Sequence, residues 1–212
     1  MKRENIADRG IWTAKKRYIL NVWDSEGVRY EEAKLKIMGI EAIKTSTPAP
    51  CRKFLKDAFK ILMNGTEDEC IEYIEKCRKE FKSLSPEEVS FPRTASNVEK
   101  WHSSADLYGK GCPIHIRGAI LYNHWTKKKN IDHKYATIQN GEKIKFCYLK
   151  TPNWMHENVI SFIQDFPTEL DLHKHVDYDL QFSKSFLDPI KVILDCIGWE
   201  TERKNTLESF FS

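Results

Sequence analysis

The chain has 212 residues, of which 41% are hydrophobic and 31% are charged, a composition typical of one sizeable folded domain or a smaller domain with a tail. The six cysteines form no CxxC pair and the seven histidines show no metal-ligand spacing, so we expect reduced, mostly buried thiols and no metal site. The sequence has no long apolar run of the membrane-spanning kind, and its first residues lead into no signal peptide. We therefore expect a soluble intracellular protein.

The net charge of +3 conceals an uneven distribution. Residues 100–150 contain ten Lys or Arg against three Asp or Glu, whereas residues 151–195 contain three against eight. This asymmetry indicates one face suited to a polyanion and another turned away from it. A solvated surface of mixed charge would give the same pattern, so both interpretations stay open.

The first 45 residues are predicted to form a β-hairpin. The segment from Ile11 to Trp23 is rich in β-branched and aromatic residues, residues 24–27 predict a turn, and a second strand is expected from Val28 to about Ile43. Two paired strands need a larger sheet to join, and no later segment supplies an obvious one. We therefore expect this hairpin to lie beside another polypeptide.

Helices dominate the prediction for the rest of the chain. A helical hairpin is expected, with its first helix starting near Pro48 and its second opened by a capping box of Thr66 and Glu69. A third helix should start at Cys112-Pro113. The last helical stretch covers roughly 177–197 and is interrupted at Pro189.

Two shorter features complete an α+β prediction. Residues 85–110 are polar and irregular and are expected to be mostly loop. The pair Asn140-Gly141 predicts a small β-hairpin over residues 135–148.

The run Lys15-Lys16-Arg17-Tyr18 points most directly to nucleic acid. Within a strand, Lys15 and Arg17 would face one way while Lys16 and Tyr18 face the other. Phosphate suits such adjacent cations because the contact releases condensed counterions. Charges that guard an exposed edge strand would produce the same run, so that alternative stays open.

A second pair of lysines extends this theme. Lys34 and Lys36 alternate with Leu35 and Ile37 and would share one face of the second strand. Two neighbouring strands that each present cations would line one basic track, which favours the nucleic-acid interpretation.

Several ordered stretches, covering almost the whole chain, resemble one known family. They are Trp12–Asp24, Lys34–Glu41 with Thr45-Ser46-Thr47-Pro48, and Cys112-Pro113-x-His115-Ile116-Arg117-Gly118 followed by Tyr122-Asn123. In this order they resemble the end of the palm and the thumb of T-even-type phage replicative DNA polymerases of family B.

The resemblance implies a palm-derived β-hairpin at residues 1–45, a mainly helical thumb with a small β-hairpin at 46–200, and a flexible clamp-binding tail at 201–212. It also implies how DNA is held. The primer–template duplex would be gripped behind the active site by the basic run of Lys15, Lys16, Arg17 and Tyr18. The primer strand would be contacted by Lys34 and Lys36. The duplex would be wrapped by the thumb residues Lys110, His115 and Arg117. Gly111 separates Lys110 from the Cys-Pro pair, which departs from the family pattern.

The family's catalytic parts have no counterpart here. The carboxylates that hold two metal ions for phosphoryl transfer, the nucleotide-binding fingers and the editing carboxylates are missing, and Asp177-Tyr178-Asp179 has the wrong context to replace them. The resemblance therefore implies no catalytic residue and no bound cofactor, with Mg²⁺ acting only in the assembled polymerase. Because Met1 falls within the family's palm, we expect the C-terminal part of a polymerase encoded in two pieces, or an isolated piece of that part. Its partner would be an N-terminal polymerase subunit in the cytoplasm of the infected bacterial host.

The end of the chain has the spacing of a sliding-clamp peptide. Leu207, Phe210 and Phe211 would lie on one side of a single helical turn, suited to an apolar pocket. A frayed terminus whose aromatic residues fold back on the thumb would have the same spacing, but the polymerase resemblance favours clamp binding. The alternative to the polymerase hypothesis is a stand-alone DNA-binding accessory protein that the clamp recruits.

Overall fold

The N-terminal segment folds into a three-stranded antiparallel sheet. In the computed structural model, which describes residues 4–103 and 106–203, the strands β1 (Asn5–Ala14), β2 (Arg17–Ser25) and β3 (Val28–Met38) pair in the order β1-β2-β3. The prediction of a single strand over residues 11–23 is wrong, because the chain turns at Lys15-Lys16 and divides that segment between β1 and β2. The third strand of this sheet is thus supplied by the chain itself.

The predicted helical hairpin is confirmed. Helix α1 spans Ala49–Asn64 and α2 spans Glu67–Lys82. The Thr66 amide donates to Oε2 of Glu69 at 2.9 Å, and the Glu69 amide donates to Oγ1 of Thr66 at 3.4 Å. This reciprocal pair satisfies donors that a helix start leaves open.

Residues 85–110 contain more structure than their polarity predicts. A short helix α3 (Pro86–Val89), a strand β4 (Phe91–Thr94) and a short helix α4 (Val98–Trp101) occur there.

The predicted hairpin over 135–148 is wrong. Strand β5 (Lys143–Tyr148) pairs instead with β4 and with β6 (Val159–Phe162). The Asn140-Gly141 turn is tied to the segment after β4, because the Gly141 amide donates to the Ala95 carbonyl at 2.7 Å.

Helix α5 (Ile114–Lys128) starts after Pro113 as predicted and packs directly on β6. A Cβ atom at Gly118 would lie 2.5 Å from Oγ of Ser161, so the close approach requires glycine. The Ser161 hydroxyl donates to the carbonyl of His115 at 2.8 Å. These contacts fix the start of α5 against the second sheet.

The predicted last helical stretch is also present, in three pieces. Helix α6 (Tyr178–Phe182) is capped by Asp177, a π-helical turn covers Ser183–Leu187, and α7 spans Asp188–Ile197. Pro189 lies in the first turn of α7, directly after the π-helical turn. Among the described residues, every helix is too short or too polar to cross a membrane.

The chain divides into two compact units that are not continuous in sequence. The first contains residues 4–44, 51–80 and 184–203, and the second contains residues 45–50 and 81–183 apart from 104–105. Phe54 packs edge-on against Phe186 in the core of the first, and Phe81 packs against Phe182 in the second. The α+β class is confirmed, while the assignment of segments to palm, thumb and tail stays a prediction.

Candidate nucleic-acid interface

Lys15 and Lys16 form the turn between β1 and β2, and both are exposed. Lys16 has a φ of 62°, in the left-handed region that closes a tight turn. The predicted alternation of these lysines across a strand is therefore wrong. The turn places both side chains at one end of the hairpin. There the two neighbouring ammonium groups are solvated by water and do not lie in a low-dielectric interior.

Gly39 holds the end of β3 against this turn. Its φ is 69°, and a Cβ atom there would lie 2.3 Å from the Lys16 carbonyl oxygen and 3.0 Å from Cγ of Arg17. Any other residue would have to push the two backbones apart. Gly39 therefore joins the two basic motifs, which the sequence places more than a dozen residues apart.

Arg17 is bound within the protein. Its Nη2 lies 3.1 Å from Oε2 of Glu41, and Nζ of Lys44 lies 2.7 Å from the other carboxylate oxygen. The Arg17 and Glu41 side chains are partly buried. This ion pair links β2 to the 3₁₀ turn at Glu41–Ile43 that follows β3. In this structure Arg17 therefore supports the shape of the Lys15-Lys16 turn. Its predicted contact with DNA stays a prediction.

Lys34 and Lys36 share one face of β3, as predicted. Lys36 lies opposite Leu20 and Lys34 opposite Val22 in the pairing of β2 with β3, and directly opposed residues point to the same side of a sheet. Nζ of Lys34 lies 4.1 Å from the ring centroid of Tyr30, a cation–π contact that holds this ammonium group on the surface.

In the second unit, two of the predicted thumb residues come together. Lys110 and Arg117 line one polar cleft of about 480 Å³. The Arg117 guanidinium lies 5.6 Å from the centroid of the Tyr108 ring and donates to Asn158. Tyr108 in turn donates to Glu157 at 2.5 Å, and burial, followed by this carboxylate, raises the pKa of the phenol. The cleft thus presents the cations of Lys110 and Arg117 together with two carboxylates and a tyrosine that stays protonated.

His115, the third predicted thumb residue, is not among the residues that line this cleft. Its ring centroid lies 6.2 Å from that of Phe146. Burial, followed by the nearby Arg93, lowers the pKa of His115 below its ordinary 6.5. At neutral pH the imidazole is therefore predominantly uncharged. It can form a hydrogen bond but does not contribute a positive charge.

Sequence reasoning missed another cleft in the second unit, of about 580 Å³. Arg93, Lys143 and Lys145 line it together with hydroxyl and apolar residues, and none of its lining residues is acidic. Nη1 of Arg93 donates to the Ser46 carbonyl at 2.9 Å. The alternation of Lys143 and Lys145 repeats that of Lys34 and Lys36 and could have drawn attention to this strand, but Arg93 comes from a segment that looked like loop.

Taken together, these residues can hold a phosphodiester backbone by charge, with hydroxyl and amide groups available for hydrogen bonds. Within the described ranges, no group of three or more His, Cys, Asp or Glu is placed to hold a metal ion.

Comparison with known proteins finds similarity over almost the whole chain. No family model matches the chain, but it is similar over 95% of its length to DNA-directed DNA polymerases of bacteriophages. One such relative is the polymerase of Escherichia phage RB69, which is 35% identical over 207 residues. Another is that of Enterobacteria phage T4, which is 30% identical over 206 residues. The predicted resemblance to T-even-type phage polymerases is thereby confirmed. The chain spans 22% of the length of each of these relatives.

Proposed function

We propose that this chain is the duplex-holding, C-terminal part of a family B DNA-directed DNA polymerase that acts in phage DNA replication. The observation that carries the proposal is the exposed Lys15-Lys16 turn, which Gly39 fixes beside the lysine-bearing strand β3. This turn occurs in a chain that aligns over 95% of its length with phage polymerases. In this proposal residues 1–45 are the end of the palm and residues 46–200 are the thumb.

The contacts would be with phosphates and not with bases. Lysine side chains at a turn act as mobile point charges, and they favour duplex DNA of any sequence because counterions leave the backbone when they bind. The clefts around Arg117 and Arg93 would supply further sequence-independent contacts from the second unit. Such contacts slow the departure of the primer–template without selecting what is copied.

The chemistry itself would come from polypeptide beyond these 212 residues. An N-terminal polymerase subunit would bring the carboxylates and the Mg²⁺ ions that activate the primer hydroxyl and stabilise the leaving phosphate. The split enzyme would work in the cytoplasm of the infected bacterial host. Clamp binding belongs to the same proposal, although Leu207, Phe210 and Phe211 lie outside the described residues.

Reconstitution tests the proposal and separates it from the stand-alone accessory protein. The purified chain is mixed with the N-terminal polymerase polypeptide that the proposal requires, sought first among neighbouring reading frames, and extension of a primer on a primed single strand is followed on a sequencing gel. We expect longer products per binding event from the mixture than from the partner alone. Equal product lengths with and without the chain would reject the polymerase role, even if the chain still binds DNA.

A matched pair of variants makes this experiment specific to the turn. Lys15→Ala with Lys16→Ala should shorten the products made by the mixture. Lys76→Ala with Lys79→Ala removes the same charge from exposed positions of the glutamate-rich helix α2 and should leave product length unchanged. An equal effect of both pairs would assign the result to net charge and not to the turn.

A further inference from the structure

Exposed apolar side chains concentrate on the first sheet. Among the described residues, six of the nine large hydrophobic residues that remain exposed lie within residues 6–43, and three lie in the rest of the chain: Ile6, Trp12, Trp23, Val28, Met38 and Ile43, against Trp154, Leu180 and Val192. A contiguous exposed apolar surface within this segment would mark a site that another molecule covers.

One row across the sheet forms the centre of this surface. Trp12 lies opposite Tyr18, and Tyr18 lies opposite Met38, so the three side chains share one face of the sheet. Trp12 is 63% exposed and Met38 is 40% exposed. The Trp12 ring lies over Gly10, where an added Cβ would come within 2.6 Å of it. We call these three residues the Trp12 row.

The opposite face of the same strands is already covered. Ile11, Ile19 and Ile37 form the neighbouring row on that side, and Ile19 is fully buried. The guanidinium of Arg9 on β1 donates to the carbonyl of Met63 at the end of α1. The sheet is thus packed on one side by its own chain, while the Trp12 row on the other side retains a large apolar surface in water.

We propose that the Trp12 row is the docking surface for the N-terminal polymerase polypeptide, an inference that rests on the function proposed above. The function proposed above gives this chain an N-terminal polymerase partner, and the chain spans 22% of the length of its polymerase relatives. An exposed tryptophan flanked by a tyrosine and a methionine has the composition of an interface centre.

The charges around the row argue for this occupant over two others. Lys36 lies in the adjacent row on the same face, and the Lys15-Lys16 turn joins the strands that carry Trp12 and Tyr18. A second copy of the chain would bring these like charges toward their own counterparts. Duplex DNA would meet the lysines through its phosphates but would leave Trp12 and Met38 uncovered, because its bases are already stacked.

Docking at this row would place the partner beside the lysine turn. A duplex that leaves the partner's active site would then meet Lys15 and Lys16 at the seam between the two polypeptides. Because DNA would contact both, each binding event should strengthen the other by the same factor. The structure thus couples assembly of the enzyme to its grip on the primer–template.

The test measures the dissociation constant between the chain and the partner polypeptide used for primer extension, by titration calorimetry with and without primer–template duplex. Trp12→Ser and Met38→Ser should each weaken association by about tenfold or more. Trp12→Phe should recover most of the loss. Val192→Ser removes an equally exposed side chain from α7 and should change the constant by less than about twofold. Circular dichroism melts check that each variant is folded, and because Met38 and Trp12 belong to different strands, one variant remains informative if the other fails to fold.

The outcomes separate this inference from the proposed function. If both serine variants bind the partner as the wild type does while the mixture still extends primers, the Trp12 row is not the docking surface and the polymerase role stands. If the wild-type chain neither binds nor assists the partner, both proposals are rejected. If the chain alone dimerises by light scattering and Trp12→Ser makes it monomeric, a second copy occupies the row and the inference is overturned.

Discussion

Replacing Lys15 and Lys16 together by alanine should weaken duplex binding in a way that depends on salt. Both lysines are exposed at the hairpin turn, so truncating them leaves the sheet's own packing intact. Arg17 is different, because its ion pair with Glu41 supports the turn. The double variant therefore isolates the phosphate contacts from the structure that presents them.

The magnitude follows from counterion release. Each lysine–phosphate contact contributes about 0.9 to the slope of log K against log salt, so removing two contacts should reduce the slope by about 1.8. The same relation gives a loss of about 60-fold in affinity at about 0.1 M salt and about 20-fold at about 0.2 M. The loss should vanish as the salt concentration approaches about 1 M.

Fluorescence anisotropy with a labelled duplex of about 20 base pairs, measured at several salt concentrations, tests this prediction. The control is the Lys76→Ala and Lys79→Ala pair, which lowers the net charge of +3 by the same amount. Parallel plots for the wild type and the turn variant would refute the reasoning, because the two lysines would then make no phosphate contact.

Three further predictions concern stability and the tail. Gly39→Ala should lower the free energy of unfolding by about 1–3 kcal/mol, since a Cβ at a φ of 69° would lie 2.3 Å from a backbone oxygen; an unchanged urea midpoint would contradict this. Lys134, followed by Tyr135, lowers the pKa of Glu169 from its ordinary 4.5 to about 2. The ionised Glu169 side chain therefore contributes to the free energy of unfolding above pH 4.5, and this contribution is lost as the pH falls toward 2. Glu169→Gln should flatten the pH dependence of stability in that window, and superimposable curves would count against the pairing. Deleting residues 206–212 should spare duplex affinity but reduce clamp-dependent processivity, whereas a loss of duplex affinity would show that the tail touches DNA.

Local signals predicted the helices well. The capping box at Thr66 and Glu69 and the proline before α5 both act within a few residues, and the structure shows both of them in place. Such signals need no knowledge of the rest of the fold. The helical part of the α+β class could therefore be derived from the sequence alone.

Sheet pairing was harder to predict because it depends on distant partners. Strand β1 begins with Asn5 and includes Asp8 and Gly10, residues with low β-propensity, so the segment gave no strand signal. The Lys15-Lys16 turn lacks the glycine or asparagine that marks most hairpins. Likewise, β5 pairs with β4 across a long separation in sequence, which no local pattern reveals.

The candidate site shows the same division. The lysines of the turn and of β3 were recognisable as charge patterns, but their proximity depends on Gly39, which has meaning only when the two backbones meet. The cleft around Arg93 was missed for a related reason: its cations come from two strands that only the folded sheet brings side by side.

Amide hydrogen exchange of the chain with and without saturating primer–template duplex tests the duplex-holding role most directly. We expect slower exchange of the backbone amides on DNA binding at the β1–β2 turn, residues 14–18, and along the end of β3, residues 34–39. Helix α2, with its many glutamates, should exchange at the same rate in both states. Unchanged exchange at the turn under saturating duplex, or protection confined to α2, would contradict the claim that these lysines hold the DNA.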